Sequence, residues 1–134
     1  MAGYSGTPLL KKLGVKEGMR LFLMQAPKNY FDLLGELPAG VQVLKKLQAE
    51  TDFIHIFSAK EKALRELLVK AKSSLAKNGT IWVSWPKKAA KLETDLTEDR
   101  IRTIILDMGL VDVKVCAVDE IWSGLKIVYR LKDR

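Results

Sequence analysis

The residues best suited to chemistry lie in Gly79-Thr80-Ile81-Trp82-Val83-Ser84-Trp85-Pro86-Lys87-Lys88. The stretch reads as a short buried strand ending in an indole, a proline and two ammonium groups. Proline has no N–H for a ladder, so it stops the strand and stiffens the exit. Positive charge beside an aromatic face suits an anion or a planar ring. The plainer alternative is a strand end with a core tryptophan and solvated lysines.

Few other side chains offer reactivity. The chain has one cysteine, Cys116, and one histidine, His55. That excludes an internal disulfide and a zinc site built on several thiolates, and it argues against a dedicated transition-metal site. Ser58 and Ser84 have only His55 as a base, and no acid is evidently placed to orient it, so no catalytic residue is assigned. His55 reads as a packed strand histidine with a hydrogen bond. Asp119 and Glu120 are adjacent carboxylates in a turn, where neighbouring side chains point apart. With Trp122 they form a second candidate patch, an interaction anchor, since tryptophan is enriched in binding hot spots.

At 134 residues the chain is expected to be a single domain over 1–134, with 48% hydrophobic and 29% charged residues. No apolar run reaches the roughly 20 residues needed to cross a bilayer, and the N-terminus lacks a signal-peptide pattern. A cytoplasmic location and no membrane partner are the expectation. Net charge is +7 and uneven: seven basic and four acidic groups in 1–50, nine and three in 51–92, seven and nine in 93–134. The basic middle favours a small anionic ligand, with nucleic acid as a weaker reading.

The elements that position these groups follow from periodicity. Thr7-Pro8 and Gly14 bracket a short helix. Met19 to Met24 is a nearly continuous apolar run, interrupted only by Arg20, the mark of a strand covered on both faces. Tyr30 to Leu37 predicts a short helix, and Val41 to Leu44 a weak strand, with a helix through Lys46 as the alternative. In Phe53 to Phe57, Phe53, His55 and Phe57 face one way, and Ile54 and Ile56 the other. Leu64, Leu67, Leu68, Ala71 and Leu75 form the stripe of a helix over 61–76, closed by Asn78-Gly79. Thr97 caps a second helix, with Ile101, Ile104, Ile105 and Met108 on its buried face. The last quarter switches to period two: Val111, Val113, Val115 and Ala117, then Leu125, Ile127, Tyr129 and Leu131. That pattern predicts an antiparallel pair, each strand with one buried face.

Together these give an α/β, three-layer Rossmann-like domain with a mixed six-stranded sheet. A closing antiparallel pair after a helix resembles the end of the class I methyltransferase fold, and that resemblance implies the order 41–44, 19–24, 53–57, 80–84, 125–131, 111–118, with 125–131 antiparallel. From Phe53 onward the pattern resembles the second half of the class I methyltransferase fold. That resemblance implies a glycine-rich cofactor loop after the first strand. The turn here reads Met24-Gln25-Ala26-Pro27-Lys28-Asn29-Tyr30, without glycine, and Lys45 and Lys46 stand where an acid would hold ribose hydroxyls. Ordinary S-adenosylmethionine binding is therefore not expected, and the cofactor is left unknown. The chain is also similar to a family of small uncharacterised bacterial proteins. That resemblance rests on Tyr4-Ser5-Gly6-Thr7-Pro8-Leu9, Phe53-Ile54-His55, Val83-Ser84-Trp85-Pro86-Lys87-Lys88, the run Val111 to Glu120, and Trp122-Ser123-Gly124-Leu125-Lys126.

In open α/β sheets, ligands bind at the carboxyl ends of the strands, where strand order reverses. For this order the reversal lies between 19–24 and 53–57. The residues expected to converge are Gln25, Lys28, Ser58, Ser84, Trp85, Lys87 and Lys88, with Tyr4, Ser5 and Thr7 from the N-terminal segment over the opening.

Overall fold

The computed structural model describes residues 8–134. Tyr4, Ser5 and Thr7, and the Thr7 cap, lie outside the described residues. Six strands form one sheet: β1 (Arg20–Met24), β2 (Gln42–Val43), β3 (Thr51–Phe57), β4 (Leu75–Pro86), β5 (Leu110–Ala117) and β6 (Trp122–Tyr129). Their order is β2-β1-β3-β4-β6-β5. The first four are mutually parallel; β6 is antiparallel to both β4 and β5. This is the expected order, including the antiparallel strand between 80–84 and 111–118.

Among the described residues, four α-helices cover the sheet: α1 (Leu9–Leu13), α2 (Tyr30–Leu34), α3 (Glu61–Ser74) and α4 (Glu98–Asp107). On one face, Leu64, Leu68 and Ala71 of α3 and Ile101, Ile104 and Ile105 of α4 pack on Ile54, Ile56, Ile81, Val83, Leu125 and Ile127. On the other, Leu13, Val15, Tyr30 and Leu34 pack on Leu21, Phe53, Phe57 and Trp82. The alternation of β3 therefore splits as its sequence dictates. Thr97 caps α4, its hydroxyl accepting the Arg100 N–H at 3.1 Å.

Four local expectations give way to packing. Helix α3 stops at Ser74, and Leu75 already belongs to β4. Asn78 and Gly79 thus lie in a strand rather than closing the helix. The β3–β4 register shifts between Thr51 and Phe53. A Cβ on Gly79 would sit 2.7 Å from Leu75 Cδ1 and 3.0 Å from the Asp52 carbonyl, so glycine is required there for close approach. Helix α2 ends at Leu34, with Gly35 following in a positive-φ conformation (φ 77). On β5, Val113 and Val115 are 53% and 44% exposed, where alternation predicted burial. The strand is at the sheet's edge and its register shifts between Asp112 and Lys114, so no second strand or full helix covers those valines. Leu131, expected to continue the β6 alternation, lies beyond the strand and is 80% exposed.

Among the described residues, no helix is long and apolar enough to cross a membrane. Nor do three or more His, Cys, Asp or Glu side chains there gather as a metal site.

Candidate functional site at the carboxyl edge

Strand order reverses at β1 and β3, and a crevice of about 450 Å³ opens at their carboxyl ends. Its walls come from four places. Gln25 leaves β1, Phe57 and Ser58 leave β3, and Lys60, Ala63, Glu66 and Leu67 come from the start of α3. Trp122, the first residue of β6, closes one side. Its indole meets the Phe57 ring edge-on, with centroids 5.1 Å apart. The wall is thus a fixed aromatic pair.

Gln25 holds a left-handed backbone, with φ 60. A non-glycine residue there stores backbone strain, a feature concentrated at functional sites. The Ser58 hydroxyl is spent locally: it donates to the Lys60 carbonyl at 3.0 Å and accepts the Lys60 N–H at 3.3 Å. The first N–H of α3, on Glu61, donates to Asp95 Oδ1 at 2.7 Å. The Lys60 ammonium forms an exposed pair with Glu93 at 3.3 Å. Such a surface pair is weak and yields readily to another anion. Glu66 is exposed on the rim.

Of the residues expected to converge, Gln25 and Ser58 line the crevice. Trp122, expected as an outward anchor, is half-buried and forms a wall; beside it Ile121 is 42% exposed. Asp119 turns inward on its own loop, Oδ1 accepting the Ile121 and Trp122 N–H groups at 2.9 and 2.8 Å, and Glu120 is exposed. Trp85 is elsewhere. It shares the parity of Ile81 and Val83 and is 7% exposed in the α3/α4 core. Lys28, Lys87 and Lys88 do not line the crevice. The Lys87 backbone N–H donates to the Ile121 carbonyl at 2.8 Å, which ties the basic loop to the β5–β6 turn.

Ser84 is also removed from solvent. Its Oγ lies 2.8 Å from His55 Nε2, and His55 Nδ1 lies 2.8 Å from the Tyr30 hydroxyl. Ser84, His55 and Tyr30 are each no more than 1% exposed. Burial lowers the His55 pKa to about 3 and pushes the Tyr30 phenol well above its ordinary range. With the proton on Nε2, the Tyr30 hydroxyl donates to Nδ1 and Nε2–H donates to Ser84; with it on Nδ1, both directions reverse. A serine and histidine at this distance have the spacing of a nucleophile and base. No substrate atom can reach them, and the histidine stays neutral, so the trio is a satisfied polar element of the core.

A mixed sheet of this order, with helices on both faces and a crevice at the switch point, defines a Rossmann-like domain of the methyltransferase type. The chain belongs to the family described as "protein of unknown function" DUF3052, whose profile matches residues 42–131. No curated protein matches it. Among solved structures it is similar to an S-adenosylmethionine-dependent methyltransferase from Aquifex aeolicus, at 18% identity and a TM-score of 0.63 over 89% of this chain and 86% of that one. It is also similar to Aeropyrum pernix fibrillarin with natively bound S-adenosyl-L-methionine, at 15% identity and TM-score 0.57 over 94% and 70%. A third is the magnesium protoporphyrin IX methyltransferase of Synechocystis with bound SAH, at 12% identity and TM-score 0.55 over 91% and 78%. At these identities the likeness establishes the fold.

The residues present fit the methyltransferase cofactor poorly. Gln25 supplies the left-handed turn that a glycine would supply, but Pro27 offers no amide. No residue of β2 lines the crevice, and Lys45 and Lys46 follow that strand.

Proposed function

We propose that this domain binds a small nucleotide-like ligand in the carboxyl-edge crevice without full methyltransferase chemistry. The observation that carries the reading is the aromatic wall of Trp122 and Phe57 facing a left-handed Gln25 at the point of strand reversal. A crevice of about 450 Å³ is of ligand-binding size. A planar ring packs on the exposed part of the indole. Gln25 and Glu66 meet hydroxyl or amide groups, and Lys60 exchanges Glu93 for an anionic substituent.

Calorimetric titration with adenosine, AMP, S-adenosylmethionine and S-adenosylhomocysteine tests this. The expected result is measurable binding of adenosine or AMP, weaker binding of S-adenosylmethionine, and quenching of indole fluorescence that disappears in Trp122→Phe. The reading is overturned if none of the four binds and native mass spectrometry of protein purified from its own cells shows no small molecule. Single-strand stacking on Trp85 is disfavoured by that side chain's burial in the α3/α4 core.

A further inference from the structure

On the α1/α2 side of the sheet, strands β5 and β6 carry an unusual cross-strand pair. Lys114 lies directly opposite Lys126, and Lys126 in turn lies opposite Trp82 of β4. Like charges placed directly opposite on one face are destabilising. Three more lysines lie near Lys126 or the neighbouring Cys116. Lys16 is close enough to Lys126 to add to the lowering of its pKa, behind burial as the main cause. Lys12, Lys114 and Lys87 all act on the Cys116 thiol, opposing the upward push of burial. Cys116 pairs with Gly124 one row along the same face.

No described carboxylate forms an ion pair with Lys16, Lys87, Lys114 or Lys126; the described ion pairs involve other residues. Asp112, nearby on β5, is committed to Arg102 at 3.0 Å. Residues 1–7 contain no Asp or Glu, so wherever they lie they add no carboxylate. Lys114 and Lys126 on the sheet, with Lys16 and Lys87 in flanking segments, thus gather positive charge that no described ion pair offsets.

We propose that this lysine face of β5 and β6 docks the phosphodiester backbone of a nucleic acid. Every cation in it is lysine, a flexible point charge, rather than the forked guanidinium that reads carboxylates bidentately. Lysine is also depleted from protein–protein interface cores, where Tyr, Trp, Phe and Arg are enriched. Phosphate contacts by lysine instead give sequence-independent positioning with strong salt dependence. The surface is separate from the crevice, so it stands whether or not the crevice binds a small molecule.

The test uses fluorescence anisotropy with the whole chain and labelled RNA and DNA strands of about 16 nucleotides, single and double. The salt series runs from about 50 to 200 mM. We expect length-dependent binding that Lys114→Ala/Lys126→Ala weakens about tenfold. On a single strand the salt slope should shrink by about 0.7 for each phosphate that is no longer neutralised. The control Lys62→Ala/Lys70→Ala, on exposed positions of α3, leaves binding unchanged. Maleimide labelling of Cys116 slows when nucleic acid is bound and not when AMP is added. Removing like charges should leave the variant folded, which its circular dichroism checks. The proposal is overturned if no strand binds at the lowest salt, or if the double variant binds as wild type does. It also fails if polyglutamate or anionic phosphatidylserine vesicles bind as tightly as nucleic acid.

Discussion

Against α3 and α4 the sheet presents Ile54, Ile56, Ile81, Val83, Leu125 and Ile127; against α1 and α2 it presents Phe53, His55, Phe57, Trp82 and Ser84. The first face is held by aliphatic burial, which is non-directional and insensitive to pH. The second is held by rings and by directed bonds. His55 stacks on Phe57 with centroids 4.4 Å apart, Tyr30 packs edge-on to both, and the Trp82 indole N–H donates to the Leu13 carbonyl at 2.9 Å. Among the described residues no buried side-chain polar atom lacks a partner. The same second face carries the lysine row at its far end. One layer therefore supplies bulk stability, and the other supplies orientation, pH sensitivity and charge.

Cavity creation on the aliphatic face should give the largest effect. Ile81 is fully buried, and Ile81→Ala should cost about 3–4 kcal/mol in urea unfolding. That loss should be the same at pH 5 and pH 7. A pH-dependent cost would break the division between the faces.

The second face should carry the pH dependence. The folded-state pKa of His55 is about 3, below the ordinary 6.5. Above pH 6.5 both states are neutral and stability is flat. As pH falls below 6.5 the unfolded chain takes a proton that the folded chain refuses, so stability falls by about 1.4 kcal/mol per pH unit. Between pH 7 and pH 5 the loss is about 2 kcal/mol, and His55 is the only histidine in the chain. His55→Gln should flatten that slope in unfolding titrations. A slope retained in the variant would assign it to other groups.

A smaller effect sharpens the packing side of the contrast. A Cβ at Gly124 would stand 3.1 Å from Trp82 Cε3 and 3.2 Å from Val118 Cγ2. Gly124→Ala should therefore cost about 1–2 kcal/mol, because the Trp82 ring, held by its bond to Leu13, yields little. Trp82→Phe, tested with it, should reduce that penalty if the fixed ring is the cause.

Much of this arrangement was legible in the chain. Apolar runs at 19–24 and 53–57, interrupted only by Arg20 and His55, mark strands covered twice, and the late period-two segments mark the antiparallel pair; the sheet order itself follows from the resemblance to the methyltransferase fold. Parity within Ile81, Val83 and Trp85 also holds Trp85 to the α3/α4 face, against its assignment to a ligand wall. What remained hidden depends on contacts between distant segments. Trp122 reaches the crevice only because β6 runs back antiparallel beside β4. The Tyr30–His55–Ser84 chain joins residues 25 and 29 positions apart. Helix α3 ends at Ser74, where Leu75 already pairs with Thr51 of β3, a contact that no local propensity encodes.

The smallest effect on stability separates folding from binding. Gln25 adopts φ 60 at the mouth of the crevice, where a side chain is strained. Gln25→Gly relieves roughly 1 kcal/mol of backbone strain and costs about 0.5–1 kcal/mol in the extra chain entropy lost on folding. The two nearly cancel, so the urea midpoint should move little. The side-chain amide is lost at the same time, and a hydrogen bond to the bound ligand is worth about 0.5–1.5 kcal/mol. AMP or adenosine affinity should therefore fall between about twofold and tenfold in calorimetry while stability stays level. A variant that gains stability and keeps full affinity would mean that the left-handed turn alone serves the site, through its backbone. One that loses stability would mean that the glutamine side chain is structural, and would remove it from the binding crevice.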